Sequence, residues 1–138
     1  MESKIKETLE NLFNGGLQTE WGLYMLSVLV ESGRMNPDEA VQILTKFTNV
    51  NFKRLNEENN IKYRDDIKYK NEKSMLCGVF LVADRIVKAD PKLKDQVRTT
   101  VKTIRDNNPE IPKTEAENKF WMNLNIQPVW ENLQSKQQ

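Results

Sequence analysis

The chain has 138 residues, 38% apolar and 30% charged, with a net charge of +1, five glycines, one cysteine and no histidine. One core burying roughly two-thirds of the unfolded surface is the expectation at this length, and the missing histidine removes the commonest general base, metal ligand and pH switch. One cysteine cannot assemble a zinc site, no glycine-rich phosphate loop is present, and the two most apolar runs, 21–30 and 75–83, are about half of the roughly twenty residues a bilayer crossing needs.

In chain order, Ile5, Leu9, Leu12 and Phe13 recur at helical spacing and Gly15-Gly16 closes the run, which predicts a first amphipathic helix. Glu7 and Glu10 on this helix are the one carboxylate pair spaced to share a magnesium ion; a solvated acidic turn at the positive end of the helix dipole is the simpler account. Thr19 can cap a second helix whose residues 21–30 are apolar except Gly22 and Ser27, so nearly its whole circumference is expected to be buried, with Gly33 as its stop. Asn36-Pro37-Asp38-Glu39 is a strong helix start. The pattern then reads as one uninterrupted helix to about residue 57, and a helix-turn-helix over 37–57 fits poorly because Leu44 stands where the turn wants glycine.

The run Met75–Ala83 is a helix rather than a strand, because no turn signal bounds it and Ile86 and Val87 extend it to helical length. Gly22 and Gly78 interrupt bulky buried helices at a cost of about 1 kcal/mol each against alanine; they mark close helix crossings or are simply tolerated. Asp90-Pro91 opens a helix with a Leu93, Val97, Val101, Ile104 stripe, closed by Asn107-Asn108-Pro109. Thr114 and Glu117 form a capping box for a short helix through Phe120, Trp121 and Leu124; Pro128 starts a last turn with Trp130 and Leu133, and the tail from Gln134 frays. The expected fold is all-α: a compact single-domain bundle of six to seven helices over residues 1–133, with no substantial sheet.

The charge is sorted by position. Residues 46–105 hold fifteen Lys/Arg against eight Asp/Glu, a balance of +7, while the flanks sum to −6. At 100° per residue Lys94, Arg98, Lys102 and Arg105 share an arc of about 80° beside the apolar stripe, and aligned like charges repel unless an acidic partner answers them. A phosphate backbone, another protein or this chain's own acidic residues could each be that partner.

Upstream, Ile61-Lys62-Tyr63-Arg64 returns as Ile67-Lys68-Tyr69-Lys70, so that two tyrosines each sit between cations. That pattern suits a single strand, its bases on the rings and its phosphates on the cations; tyrosines packed in a hairpin or helix extension are the structural alternative. Phe120, Trp121, Met122, Ile126, Val129 and Trp130 crowd a short region, where the two tryptophans are a core lid or an interface anchor, a homo-oligomer included. Fifteen Lys against six Arg, with fifteen Asn, suggests an AT-rich genome, whether bacterial, phage or protist, and lysine favours point-charge contact with phosphate over bidentate base reading.

These features predict a small non-enzymatic helical accessory or regulatory protein without metal or cofactor, cytoplasmic given its apolar-poor N-terminus and single cysteine. It would bind an anionic partner, nucleic acid first, through Lys62, Tyr63, Arg64, Lys68, Tyr69, Lys70, Lys94, Arg98, Lys102 and Arg105. The alternative is a phage- or mobile-element-type inhibitor or adaptor whose basic face docks on an acidic protein.

Overall fold

Seven α-helical segments and no strand make up the described residues, 3–13, 17–58 and 69–124, of the computed structural model. The segments are α1 (Ser3–Leu12), α2 (Leu17–Glu31), α3 (Pro37–Thr45), α4 (Phe52–Glu58), α5 (Lys70–Ala89), α6 (Lys94–Asp106) and α7 (115–124), with a 3-10 turn, Pro91–Leu93, leading into α6. Gly15-Gly16, residues 61–68 of the tyrosine near-repeat, and the last turn with Trp130 and Leu133 lie outside the described residues.

α5 is the axis of the core. Its Met75, Leu76, Val79, Phe80, Val82, Ala83 and Ile86 are almost fully buried, as the wide apolar face of an amphipathic helix must be, and it touches α2, α3, α4 and α6. Glu20 meets Ser74, Leu23 meets Gly78 and Glu31 meets Arg85. The pairs advance in the same direction along both chains, so α2 and α5 run parallel.

Both interior glycines mark close crossings. A Cβ on Gly78 would lie 2.9 Å from the Cβ of Leu23, and one on Gly22 would lie 2.6 Å from the Phe13 ring. The Phe13 ring can rotate aside, whereas the Leu23 Cβ is fixed to its backbone. Gly78→Ala is therefore expected to lose about 1–2 kcal/mol, overpacking outweighing the propensity gain of alanine, and Gly22→Ala to lose less. Urea unfolding of the two variants checks the order, and a G78A protein as stable as the parent would refute the tight α2–α5 crossing.

Several boundaries follow the local chemistry. Asn36 Oδ1 accepts from Asp38 N–H at 3.1 Å at the start of α3, and Asp90 Oδ1 accepts from Lys92 N–H at 3.2 Å before α6. α2 ends just before Gly33, whose φ of +76° turns the chain so that Arg34 and Met35 N–H both reach Leu29 O. Thr114 Oγ1 accepts from Glu117 N–H at 3.4 Å, the expected half of a capping box.

Four expectations are corrected. Thr19 is not the cap of α2, which begins at Leu17; Thr19 lies buried in its first turn. The circumference of α2 is not closed, since Trp21, Met25 and Val28 are 70%, 39% and 60% exposed. Its covering neighbours α1, α3 and α5 leave this stripe open. The third helix stops at Thr45 instead of reaching residue 57. Thr45 and Thr48 hydroxyls donate to Val41 O and Thr45 O, Asn51 Oδ1 accepts from Arg54 N–H at 2.9 Å to start α4, and side-chain bonds of this kind compete with helix continuation. Finally, the carboxylate of Glu117 does not close the capping box but turns to α6.

Candidate anion-binding groove

α6 carries the predicted stripe of cations because Val97, Val101 and Ile104 fix its inner face in the core. The structure divides that stripe in two. Arg105 is consumed by the fold: its Nε pairs with Glu117 Oε2 at 3.2 Å, Nη1 donates to Asn108 O at 3.1 Å and Nη2 to Ile111 O at 2.6 Å. The Arg105 side chain is 15% exposed and that of Glu117 1%. Arg98 and Lys102 instead point outward, paired with exposed Asp95 at 3.3 Å and Asp106 at 3.0 Å on their own helix. Exposed pairs of this kind hold their partners by about 1 kcal/mol or less and yield to a stronger anion.

Arg98, Lys102 and Arg105 line an open groove of about 520 Å³, together with Lys113 from the loop before α7 and Glu117 and Trp121 from α7. Asp106 lines it too, so four cations share the groove with two carboxylates. Lys113 is exposed and makes no ion pair among the described residues. The indole of Trp121 is partly buried, edge-on to Phe80 and Phe120 with ring centroids 5.7 and 5.1 Å away, and its Nε1–H donates to Glu117 Oε2 at 3.3 Å. Oε2 thus serves both Arg105 and Trp121, while Glu117 Oε1 is buried with no hydrogen-bond partner. A volume of this size accepts a small molecule or one or two nucleotides.

Of the predicted site residues, the fold brings together Arg98, Lys102, Arg105 and Trp121. Lys94, at the first turn of α6, does not line the groove. Tyr69 stands at the entry to α5 with φ +65°, its hydroxyl donating to Glu110 Oε2 at 3.2 Å; Lys53 Nζ lies 5.9 Å from its ring and 3.6 Å from the same carboxylate. That tyrosine ties α4 and α5 to the loop after α6, and Lys70 beside it is exposed. Lys62, Tyr63, Arg64, Lys68 and Trp130 lie outside the described residues.

Lys113 and Glu117 were absent from the sequence-based site. Both follow the Pro109–Pro112 break, and a chain reversal there sets them against the end of α6.

Elsewhere, Glu7 and Glu10 are exposed on α1, Glu10 facing Lys46 at 3.9 Å, and no cluster of three or more potential metal-ligating residues occurs among the described residues. A polar seam between α2 and α5 joins Glu20, Tyr24, Ser74 and Cys77. The Ser74 hydroxyl donates to Glu20, and burial, then the Cys77 thiol, pushes the Tyr24 hydroxyl above its ordinary pKa. No described helix is long and apolar enough to cross a membrane. No protein-family model matches the chain, and a match is found neither among characterised proteins nor among solved structures, so its function has to be read from the chemistry of the site itself.

Proposed function

We propose that this chain is a non-enzymatic helical accessory protein that binds single-stranded nucleic acid along the groove between α6 and α7. The observation that carries the reading is the convergence of Arg98, Lys102 and Lys113, from two separate elements, around a groove walled by Trp121. Cations track a phosphate backbone while an aromatic ring stacks a base, the combination by which single strands are held without a long recognition helix. The internal partners of Arg98 and Lys102 are exposed carboxylates on the same helix, which a phosphate can displace. A cytoplasmic setting fits the lone Cys77, which has no disulfide partner.

Three phosphate contacts on a single strand give a salt slope of about −2, so raising salt from 50 to 200 mM is expected to weaken binding roughly 20-fold. Titration of fluorescent 12-mer oligonucleotides tests this. An R98Q/K102Q/K113Q variant should lose most of the affinity and nearly all of the salt slope, while the absence of binding at 50 mM salt would rule the function out.

A protein partner is the second reading, favoured by the exposed Trp21, Met25 and Val28 stripe of α2. An adaptor or inhibitor of the kind phages and mobile elements encode would use such an apolar anchor alongside the basic groove, and its affinity would fall less steeply with salt.

A further inference from the structure

The charge gathered in the groove is too dense for an internal stretch of strand. Arg105 is answered inside the fold by Glu117 at 3.2 Å, which leaves Arg98, Lys102 and Lys113 as the outward cations. Arg98 and Lys102 stand one turn apart, about 6 Å along α6, and Lys113 joins them from the loop before α7. Carboxylates bound this patch along the helix. Asp95, paired with Arg98, lies on one side, and Asp106, paired with Lys102, on the other. A long strand laid along α6 would leave the three cations and meet acid in either direction, with Lys94 outside the groove. The groove itself, about 520 Å³, holds one or two nucleotides. One or two internal nucleotides bring one or two negative charges to three cations. A terminal phosphomonoester brings nearly two by itself, and with the next diester the sum comes close to three.

We infer that the groove takes the phosphorylated end of a strand, with the terminal phosphate and the first diester on Arg98, Lys102 and Lys113 and the terminal base against Trp121. The inference rests on the single-strand reading and narrows its ligand from any stretch of strand to a phosphate-bearing terminus. The side chains suit a compact dianion: a guanidinium grips two phosphate oxygens at once, and two ammonium groups serve as point charges. Asp95 and Asp106, with side chains 92% and 63% exposed, turn to water when the phosphate displaces them. A mononucleotide carries the same phosphomonoester and lacks only the diester, so that second phosphate tells the two sources apart.

The ligand's own titration gives an independent readout. A phosphomonoester takes up its second proton near pH 6, and the chain contains no histidine, the side chain whose ordinary titration falls in that interval. The advantage of a phosphorylated end should therefore shrink by at least half between pH 7.5 and pH 5.5. An unphosphorylated strand run in parallel carries any contribution from Asp106 and Glu117, the carboxylates lining the site.

The experiment is fluorescence anisotropy at 50 mM salt with labelled dT12 bearing a phosphate at the 5′ end, at the 3′ end, or at neither, the label always on the opposite end. At pH 7.5 one of the two phosphorylated strands is expected to bind about tenfold tighter than the plain strand, the yield of one added charge-assisted contact. A thymidine dinucleotide with the same terminal phosphate should displace it nearly as well as the full phosphorylated strand, and thymidine monophosphate several-fold less well. In R98Q/K102Q/K113Q the advantage of the phosphate should vanish. Binding of all three strands within twofold, or an advantage that persists unchanged at pH 5.5, would overturn the terminus while leaving the single-strand function standing. Displacement by thymidine monophosphate as strong as by the dinucleotide would overturn the strand end in favour of a mononucleotide. An advantage that survives in the triple variant would place the phosphate elsewhere and overturn the site. No binding of any strand would overturn both readings. If the triple variant does not melt cooperatively, the ligand comparisons decide alone, since they leave the protein untouched.

Discussion

Asn108→Ala is expected to lower the unfolding free energy by about 3 kcal/mol, with a fall in Tm of roughly 10 °C. Asn108 is 1% exposed and uses both ends of its amide: Oδ1 accepts from Phe52 N–H at 2.7 Å, and Nδ2 donates to Val50 O at 2.9 Å and Ile104 O at 2.8 Å. Truncation would leave a buried N–H and two carbonyls unmatched, each at a cost of about 1 kcal/mol or more. On a total stability of about 5–15 kcal/mol this is a large fraction. Asn108→Asp keeps the acceptor for Phe52 but aims a carboxylate oxygen at two carbonyls, so at neutral pH it should be no more stable than the alanine variant. Denaturant unfolding of both checks this, and a loss below 1 kcal/mol for N108A would show that the amide is not the clamp described.

The same clamp explains what was not legible in the sequence. Residues 37–57 keep a helical rhythm, and the interruption at Thr45 is held from a distance. Asn107 donates to Thr48 O, Asn51 Nδ2 donates to Asn107 O, and Asn108 satisfies Val50 and Phe52. The acceptor that lets Phe52 begin a new helix lies 56 residues away, where local periodicity does not reach. By contrast, the boundaries at Asn36, Gly33 and Asp90 were legible because each is made by side chains or backbone within a few residues.

Burial shows the same division. Most apolar residues of α5 between Met75 and Val87 are buried, because α2, α3, α4 and α6 pack against the helix, while Lys70, Lys73, Asp84 and Lys88 mark its open side. The α2 sequence is the more apolar of the two, yet Trp21, Met25 and Val28 face outward. Apolarity states what a face would gain by being covered, while the packing of the other elements decides whether this chain covers it.

The candidate site was half legible for a related reason. Helical geometry alone puts Arg98, Lys102 and Arg105 on one arc, and they do line one groove. It does not distinguish the two outward cations from Arg105, because that distinction is made by Glu117 on another element, across the Pro109–Pro112 break.

Arg105 therefore carries the largest effect expected of any single substitution. In Arg105→Met the Glu117 carboxylate, 1% exposed, keeps only the Trp121 N–H, and Asn108 O and Ile111 O lose their donors. Removing one partner of a buried ion pair costs about 3–5 kcal/mol, whereas replacing both by apolar groups of similar volume is often near neutral. R105M should thus lose about 4 kcal/mol, and R105M/E117L should recover a substantial part of it, a coupling that a double-mutant cycle measures directly. Arg105→Lys should not rescue the single variant, because an ammonium lacks the planar fork that reaches a carboxylate and two carbonyls at once. Function separates along the same line. R98Q/K102Q/K113Q is expected to lose oligonucleotide binding with its cooperative melt intact, while R105M loses binding only together with the melt. An R105M protein that melted like the wild type and still failed to bind would move Arg105 from the scaffold of the groove into its contact surface.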